Sequence, residues 1–268
     1  MNRSSFSDTA TGRPVRPLLA AVLAAFALAA CSNTSNVASG ANAEGLLKAS
    51  AAAAQAVTLS DADVMQLADK SCAEMDAKAK VASAKGKSAQ RLARLVKGMP
   101  KEVEGVTLNY KVYETREINA WAMNNGCVRV YSGLMEKMND NELRGVIGHE
   151  IGHVALGHSK KAMQVAYAAG AARQAAASAG NSAVAALTAS EIGELAEKLV
   201  NAQFSQAQET EADDYAFDLL TTAKMRRDGL VTAFEKLAKL GDNSSMLSSH
   251  PASSERAQHI RDRIAAKK

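Results

Sequence analysis

One stretch limits what this chain can fold into: Asn139-Asp140-Asn141-Glu142, followed six residues later by Gly148-His149-Glu150-Ile151-Gly152-His153. An Asn at a cap position with Glu three residues on is the signature of a helix start. Two histidines four apart on that helix stand one turn apart on one face, so both imidazoles reach one point, with Glu150 beside them. The flanking Val146, Ile147, Ile151 and Val154 are apolar enough to bury the helix, and a buried polar group without a partner is costly. A metal ion shared by His149 and His153 removes that conflict. The His-Glu-x-x-His pattern then carries zinc peptidase chemistry, with Glu150 as general base. Gly145, Gly148, Gly152 and Gly157 share the same stretch, and each costs about 1 kcal/mol relative to Ala inside a helix. So many glycines predict that another backbone packs very closely there.

A catalytic zinc usually takes a third protein ligand and leaves one position open. Glu209-Thr210-Glu211-Ala212-Asp213 lies in the helical pattern running from Ser190 to Leu220. Glu209 and Asp213 are four apart on one face, so one can ligate while the other hydrogen-bonds a ligating imidazole and fixes its tautomer. Glu211 points to the other side and is the weaker candidate. Near the C-terminus, His250-Pro251 precedes Ser254-Glu255-Arg256, with Pro251 expected in the first turn of the last helix. His250 can donate to a transition-state oxyanion or occupy the open metal position, and Arg256 can bind a substrate carbonyl or neutralise the acids. His158 and His259 are assigned to structure or surface.

The remaining chain predicts an α+β domain, mostly helical, with a small antiparallel sheet of about three strands. Ser60-Asp61-Ala62-Asp63 starts one helix, and Ser88 to Lys97 forms a second that stops near Gly98-Met99-Pro100. Alternation from Val106 to Tyr113 predicts a strand. Residues 118–123 and 127–131 flank Asn124-Asn125-Gly126, a strong hairpin signal. The free edge of such a sheet, at Asn119, Ala120, Trp121 and Ala122, can accept an extended substrate by strand addition. Residues 161–189 are rich in Ala, Gly and Ser, with Arg173, Gln174 and Asn181 opposing membrane insertion. Two helical pieces joined by a loop, a candidate lid, are expected there. A final helix before the C-terminal one is expected from Arg227 to Leu240.

Arg13 and Arg16 precede an apolar run ending Leu28-Ala29-Ala30-Cys31, the layout of a signal peptide and too short for a membrane span. Those last residues resemble the bacterial lipobox, which implies lipidation of Cys31 after removal of residues 1–30. Ser32 after the Cys implies sorting to the outer membrane, facing the periplasm. Residues 31–57 hold few large apolar side chains and read as a flexible tether, leaving residues 58–268 as the folded domain. With Cys31 set aside, Cys72 and Cys127 form an even pair in an oxidising compartment, read as one disulfide, the alternative being two buried thiols. The net charge of +4 includes +2 from the first 30 residues, and no basic run is interleaved with aromatics, which excludes nucleic-acid binding as a reading.

The ordered set Asn119-Ala120-Trp121-Ala122, Gly126 to Leu134, His149-Glu150-x-x-His153, Glu209-x-x-x-Asp213 and His250-Pro251-x(4)-Arg256 resembles the gluzincin-type zinc endopeptidase family that includes HtpX, BepA and the CAAX prenyl protease. Tyr110-Lys111-Val112-Tyr113 and Phe204-Ser205-Gln206 add to the likeness to its outer-membrane lipoprotein members. The resemblance implies one Zn2+ per chain held by His149, His153 and Glu209. It makes Glu150 the base, Asp213 the acid behind the ligands, and His250 with Arg256 the substrate-side pair. It further implies unfolded or misassembled envelope proteins as substrates, with outer-membrane assembly machinery as a possible partner class. The rival reading is a zinc-containing chaperone or assembly factor with little or latent proteolysis.

Overall fold

The computed structural model describes residues 59–171, 187–240, 245–251 and 254–266. The expected signal peptide, Cys31 and the expected tether, and the joint expected within residues 161–189, lie outside them. The chain forms α1 (Asp61–Lys78), α2 (Lys87–Leu95), β1 (Glu102–Val103), β2 (Val106–Thr107), β3 (Asn109–Tyr113), β4 (Ala120–Ala122), β5 (Cys127–Tyr131) and α3 (Ser132–Lys137). It continues through α4 (Asp140–Ala155), α5 (His158–Ala171), α6 (Ala189–Val200), α7 (Gln206–Thr222), α8 (Asp228–Leu240), α9 (Met246–Ser249) and α10 (Ser254–Ala266). Mostly helical with small sheets, it is the α+β class that the sequence predicts.

The helix starts follow local chemistry. Ser60 caps α1 with Asp63 reaching back, Asn139 caps α4 with Glu142, and Ser205 caps α7 with Gln208, each as a reciprocal capping box. The Ser190 to Leu220 pattern is two helices rather than one, because Ser205 offers its side chain to the Gln208 N–H and restarts the chain after Val200. Pro251 precedes α10 by three residues instead of sitting in its first turn, and His250 closes α9.

The sheet departs from the all-antiparallel expectation. The strand expected from Val106 to Tyr113 divides in two: β2 pairs antiparallel with β1, while β3 joins a separate sheet of order β3-β5-β4. Within it, β4 and β5 form the expected antiparallel hairpin around Asn124-Asn125-Gly126, but β3 and β5 are parallel. The chain crosses from β3 to the far edge, lays down β4, and the hairpin returns β5 into the gap between them. That order makes β5 central and leaves β4 on the edge.

Burial on both faces explains why β5 reads as an uninterrupted buried run. Val128 and Val130 join the core formed with α4, α7 and α8, while Cys127 and Tyr131 join the core beneath α1 and α6. Between Cys127 and Tyr131, Arg129 is buried as well, with Nε 2.8 Å from Asp76 Oδ1 and Nη2 2.9 Å from Asp76 Oδ2. A disulfide joins Cys72 of α1 to Cys127 at the start of β5, the pairing expected from the cysteine count.

Asp76 also accepts from Lys111 Nζ and from the Tyr113 hydroxyl, each at 2.7 Å. Burial alone would raise its carboxyl, but the hydrogen bonds from Arg129, Lys111 and Tyr113 hold it down at about 2 from an ordinary 3.8. A depressed folded-state pKa contributes stability that is present above the unfolded value and lost as pH falls through the folded one. At 1.36 kcal/mol per unit, this group contributes about 2 kcal/mol. Asp76→Asn is therefore expected to lower the urea-unfolding free energy by about that amount at neutral pH. The gap to wild type should narrow between about pH 4 and pH 2, and a gap independent of pH would contradict the assignment.

The glycines of α4 meet the close neighbours that their number predicts. A Cβ on Gly145 would lie 3.0 Å from the Leu230 backbone of α8, and one on Gly152 would lie 2.9 Å from the Ala212 carbonyl of α7. On Gly148 it would meet the Ala216 Cβ at 3.3 Å. Gly157 has no such neighbour; its φ of +71° belongs to the corner after α4. Without a methyl group in the way, α7 approaches the histidine face of α4 closely enough for side chains of both helices to share one point.

Candidate metal centre and active site

Three separate stretches converge at the meeting of α4 and α7. His149 and His153 come from α4, Glu209 and Asp213 from α7, and His250 from the end of α9. The Met246 N–H donates to the Ile118 carbonyl at 3.2 Å and the Phe204 N–H to the Ser249 carbonyl at 3.3 Å. These bonds tie α9 to the strand region and to the approach to α7, which sets His250 over the site. All five side chains are buried.

His149 Nε2 lies 3.0 Å from His153 Nε2, 3.2 Å from His250 Nδ1 and 3.5 Å from Glu209 Oε2. Glu209 Oε1 lies 3.3 Å from His153 Nε2 and 3.0 Å from His250 Nδ1. Four donor atoms each about 2.0–2.1 Å from a tetrahedral ion stand about 3.3 Å apart, so this spacing fits a single divalent metal. The chemistry of the donors agrees. His149 Nδ1 is 2.8 Å from Asp213 Oδ1, which fixes the tautomer that leaves the Nε2 lone pair facing inward. Two such lone pairs 3.0 Å apart in a buried site repel unless a cation lies between them. His149, His153, Glu209 and His250 thus form a group able to hold a metal ion.

The protonation preferences are those of a ligand set. Burial pushes His153 well below the ordinary imidazole value, toward the neutral form that ligates. Burial would raise the Glu209 carboxyl, but hydrogen bonds with His153 and His250 keep it well below the usual carboxylate range. Burial opposes charge on Asp213 too, yet its bonds to Arg256 and His149 depress it. Burial raises Glu150, and its Oε1 makes no hydrogen bond, lying 3.5 Å from His250 Nε2. Burial disfavours charge on His250, and the carboxylates of Glu150 and Glu209 overcome it, raising its value.

Arg256 stands behind the ligands rather than over the open side. It is buried, with Nε and Nη2 2.7 and 2.8 Å from the two Asp213 oxygens and Nη1 2.5 Å from Glu209 Oε2. Of the two roles open to it from sequence, the contacts are those of a neutralising group. Asp213 thus lies behind His149, and Arg256 behind Asp213 and Glu209.

Residues 86–264 match peptidase family M48. The chain belongs to that family. It is 53% identical to the metalloprotease LoiP of Escherichia coli K12 over 94% of this chain and 98% of that protein. It is 49% identical to the E. coli K12 metalloprotease YcaL over 94% of this chain and 98% of that one. A shorter match, 60% identity over 37 residues, covers 14% of this chain and 12% of the protease HtpX of Acinetobacter baumannii. The M48 chain is a metallopeptidase, and its family implies a divalent metal at the cluster just described.

Two features of this M48 site escaped the sequence. Phe204, which entered the resemblance only as a matching residue, stacks on His153 with ring centroids 3.9 Å apart. It also lines an apolar pocket with Trp121, Met123, Met163, Leu199 and Val200. Its place as the last apolar residue before the Ser205 cap was the available signal. His158, assigned to structure or surface, is buried and lies 3.1 Å from His153. His259 does lie at the surface side, half-exposed and 2.7 Å from Asp214.

The edge strand β4 borders the pocket. The Tyr131 N–H donates to the Asn119 carbonyl and the Met123 N–H to the Cys127 carbonyl, so by antiparallel alternation Ala120 and Ala122 direct their backbone groups to the other edge, which pairs with no strand among the described residues. Asn119 Oδ1 accepts the Ala120 N–H at 2.9 Å and Ser159 Oγ donates to the Ala122 carbonyl at 3.1 Å. The Ala120 carbonyl and the Ala122 N–H point along that edge.

Proposed function

We propose that this chain is a zinc-dependent endopeptidase, lipid-anchored through Cys31 to the outer membrane of a bacterium and facing the periplasm, that hydrolyses misfolded or misassembled envelope proteins. The observation that carries the enzymatic part is the convergence of His149, His153 and Glu209 on one point, with Glu150 Oε1, which makes no hydrogen bond, beside it. Anchoring is supported by the Leu28-Ala29-Ala30-Cys31 sequence, and among the described residues no helix is long and apolar enough to cross a membrane.

His149, His153 and Glu209 would hold one zinc ion. When bound, it supplies a Lewis acid that acidifies water and polarises a carbonyl oxygen. The Ala120 carbonyl and Ala122 N–H bind an extended substrate as an added strand. Glu150 Oε1 receives the proton of the attacking water as the new carbon–oxygen bond forms. It returns that proton to the amine nitrogen as the carbon–nitrogen bond breaks. Burial raises the Glu150 carboxyl, the direction that favours its holding a proton between the two transfers.

One observation favours a second, latent reading: His250 Nδ1 stands 3.2 Å from His149 Nε2 and 3.0 Å from Glu209 Oε1, close enough to serve as a fourth donor. In a resting form it would close the open position, and the protein would act chiefly as a chaperone or assembly factor. Cleavage of casein by the zinc-loaded wild type and by His250→Ala separates these readings. Chelator-sensitive cleavage by wild type supports the endopeptidase. A gain in His250→Ala supports latency, and no cleavage by either, with zinc bound, contradicts peptidase function.

A further inference from the structure

The two histidines of the metal site are oriented by different devices. His149 has a buried carboxylate directly behind it. His153 has another imidazole. His153 Nδ1 lies 3.1 Å from His158 Nδ1, and His158 Nε2 lies 3.1 Å from Glu211 Oε2. His158 is buried, whereas the Glu211 side chain is 61% exposed.

The contact depends on a corner, since residues five apart on one helix do not face each other. The chain leaves α4 with the Leu156 N–H bonded to the Gly152 carbonyl, and Gly157 adopts a φ of +71°. That left-handed residue ends α4, and α5 begins at once with His158, folding its ring back onto His153 with centroids 5.1 Å apart.

Ligation fixes every proton in this chain of contacts. His153 must present the lone pair of Nε2 inward, where it lies 3.0 Å from His149 Nε2, so its Nδ1 carries the hydrogen. His158 Nδ1 must then accept that hydrogen, which leaves His158 neutral with the proton on Nε2, donated to Glu211. One arrangement satisfies both imidazoles and the carboxylate.

We infer that His158 and Glu211 form a relay that holds His153 in its ligating tautomer and orientation, so that an exposed carboxylate strengthens the metal site through a buried imidazole. Both are positioning residues, and the inference rests on the metal-site reading given above. Glu211, set aside as a ligand because it points away from Glu209 and Asp213, belongs to the site by way of α5. A merely packed histidine would need neither the consecutive use of both ring nitrogens nor the acid at the far end.

The test is zinc affinity of the purified full chain by chelator competition, with thermal unfolding of the metal-free forms as the check on folding. His158→Ala is expected to weaken zinc binding roughly 10–100-fold. His158→Asn, whose Oδ1 occupies the position of Nδ1 and can still accept from His153, should recover most of that loss. Glu211→Ala should cost about threefold to tenfold in the wild-type background and nothing further in either His158 variant, because it acts only through that ring. Unchanged affinity in His158→Ala, or a Glu211 effect that multiplies with it, would overturn the relay while leaving the metal site standing. Failure of wild type to bind zinc would overturn both. Equal losses in His158→Ala and His158→Asn, matched by equal losses of metal-free stability, would reduce His158 to a packing residue.

Discussion

Glu150→Gln is expected to retain zinc and lose turnover. The substitution keeps the shape of the side chain on α4 but removes the group that can carry a proton between water and the leaving amine. General base and acid catalysis is worth roughly 10²–10⁴-fold in rate, so kcat on casein should fall by about that factor. Zinc content and KM should change little, because Glu150 is not among the four residues grouped around the metal position. A variant with wild-type turnover would remove Glu150 from the mechanism.

Arg256→Ala carries the largest expected effect on stability. The guanidinium is 3% exposed and is paired with both Asp213 oxygens and with Glu209, which are themselves fully buried. Its face also packs 4.4 Å above the Phe234 ring. Removing one partner of a buried ionic group leaves the others uncompensated, at a cost of about 3–5 kcal/mol. Urea unfolding of the metal-free protein should show that loss. Lys at the same position should not restore it, since an ammonium cannot reproduce the two-pronged contact with Asp213. A loss below about 1 kcal/mol would mean that Arg256 is not what stabilises the acids beneath the metal position.

What the sequence disclosed follows from the range of the interactions involved. The helix carrying His149 and His153 was legible because its cap, its apolar face and its two histidines lie within sixteen residues, and capping chemistry acts over three. The close approach of α7 could be anticipated from Gly148 and Gly152, and that of α8 from Gly145, because glycines inside a buried helix need a reason. The hairpin around Asn124-Asn125-Gly126 was legible for the same local reason. The parallel pairing of β3 with β5 was not: alternation identifies strands, but the choice of neighbour depends on a crossover and on two cores closing over opposite faces of β5. Arg129 carried a warning of this, a charge in the middle of an apolar strand that needs an acid from another element, here Asp76 of α1.

The site shows the same division. His149, His153, Glu209 and Asp213 could be named because i,i+4 spacing puts donors on one face, and Glu150 because it follows the first histidine in the His-Glu-x-x-His pattern. His250 could be named, but its place depends on hydrogen bonds from Met246 and Phe204 to distant segments. The contact of His158 with His153 was hidden because helical spacing separates them, and only the turn at Gly157 brings them together. Arg256 was legible as a cation near acids, while its direction, inward beneath the ligands, needed the packing of α10 on α7 and α8.

Zinc stoichiometry of the purified chain and its ligand variants, measured by atomic emission after dialysis, bears most directly on the claim that α4 and α7 jointly grip one ion. About one zinc per chain is expected for wild type and for Glu150→Gln, with loss of that zinc in His149→Ala, His153→Ala and Glu209→Gln. Full zinc retention in the Glu209 variant and in both histidine variants, or a wild type that takes up none, would contradict it.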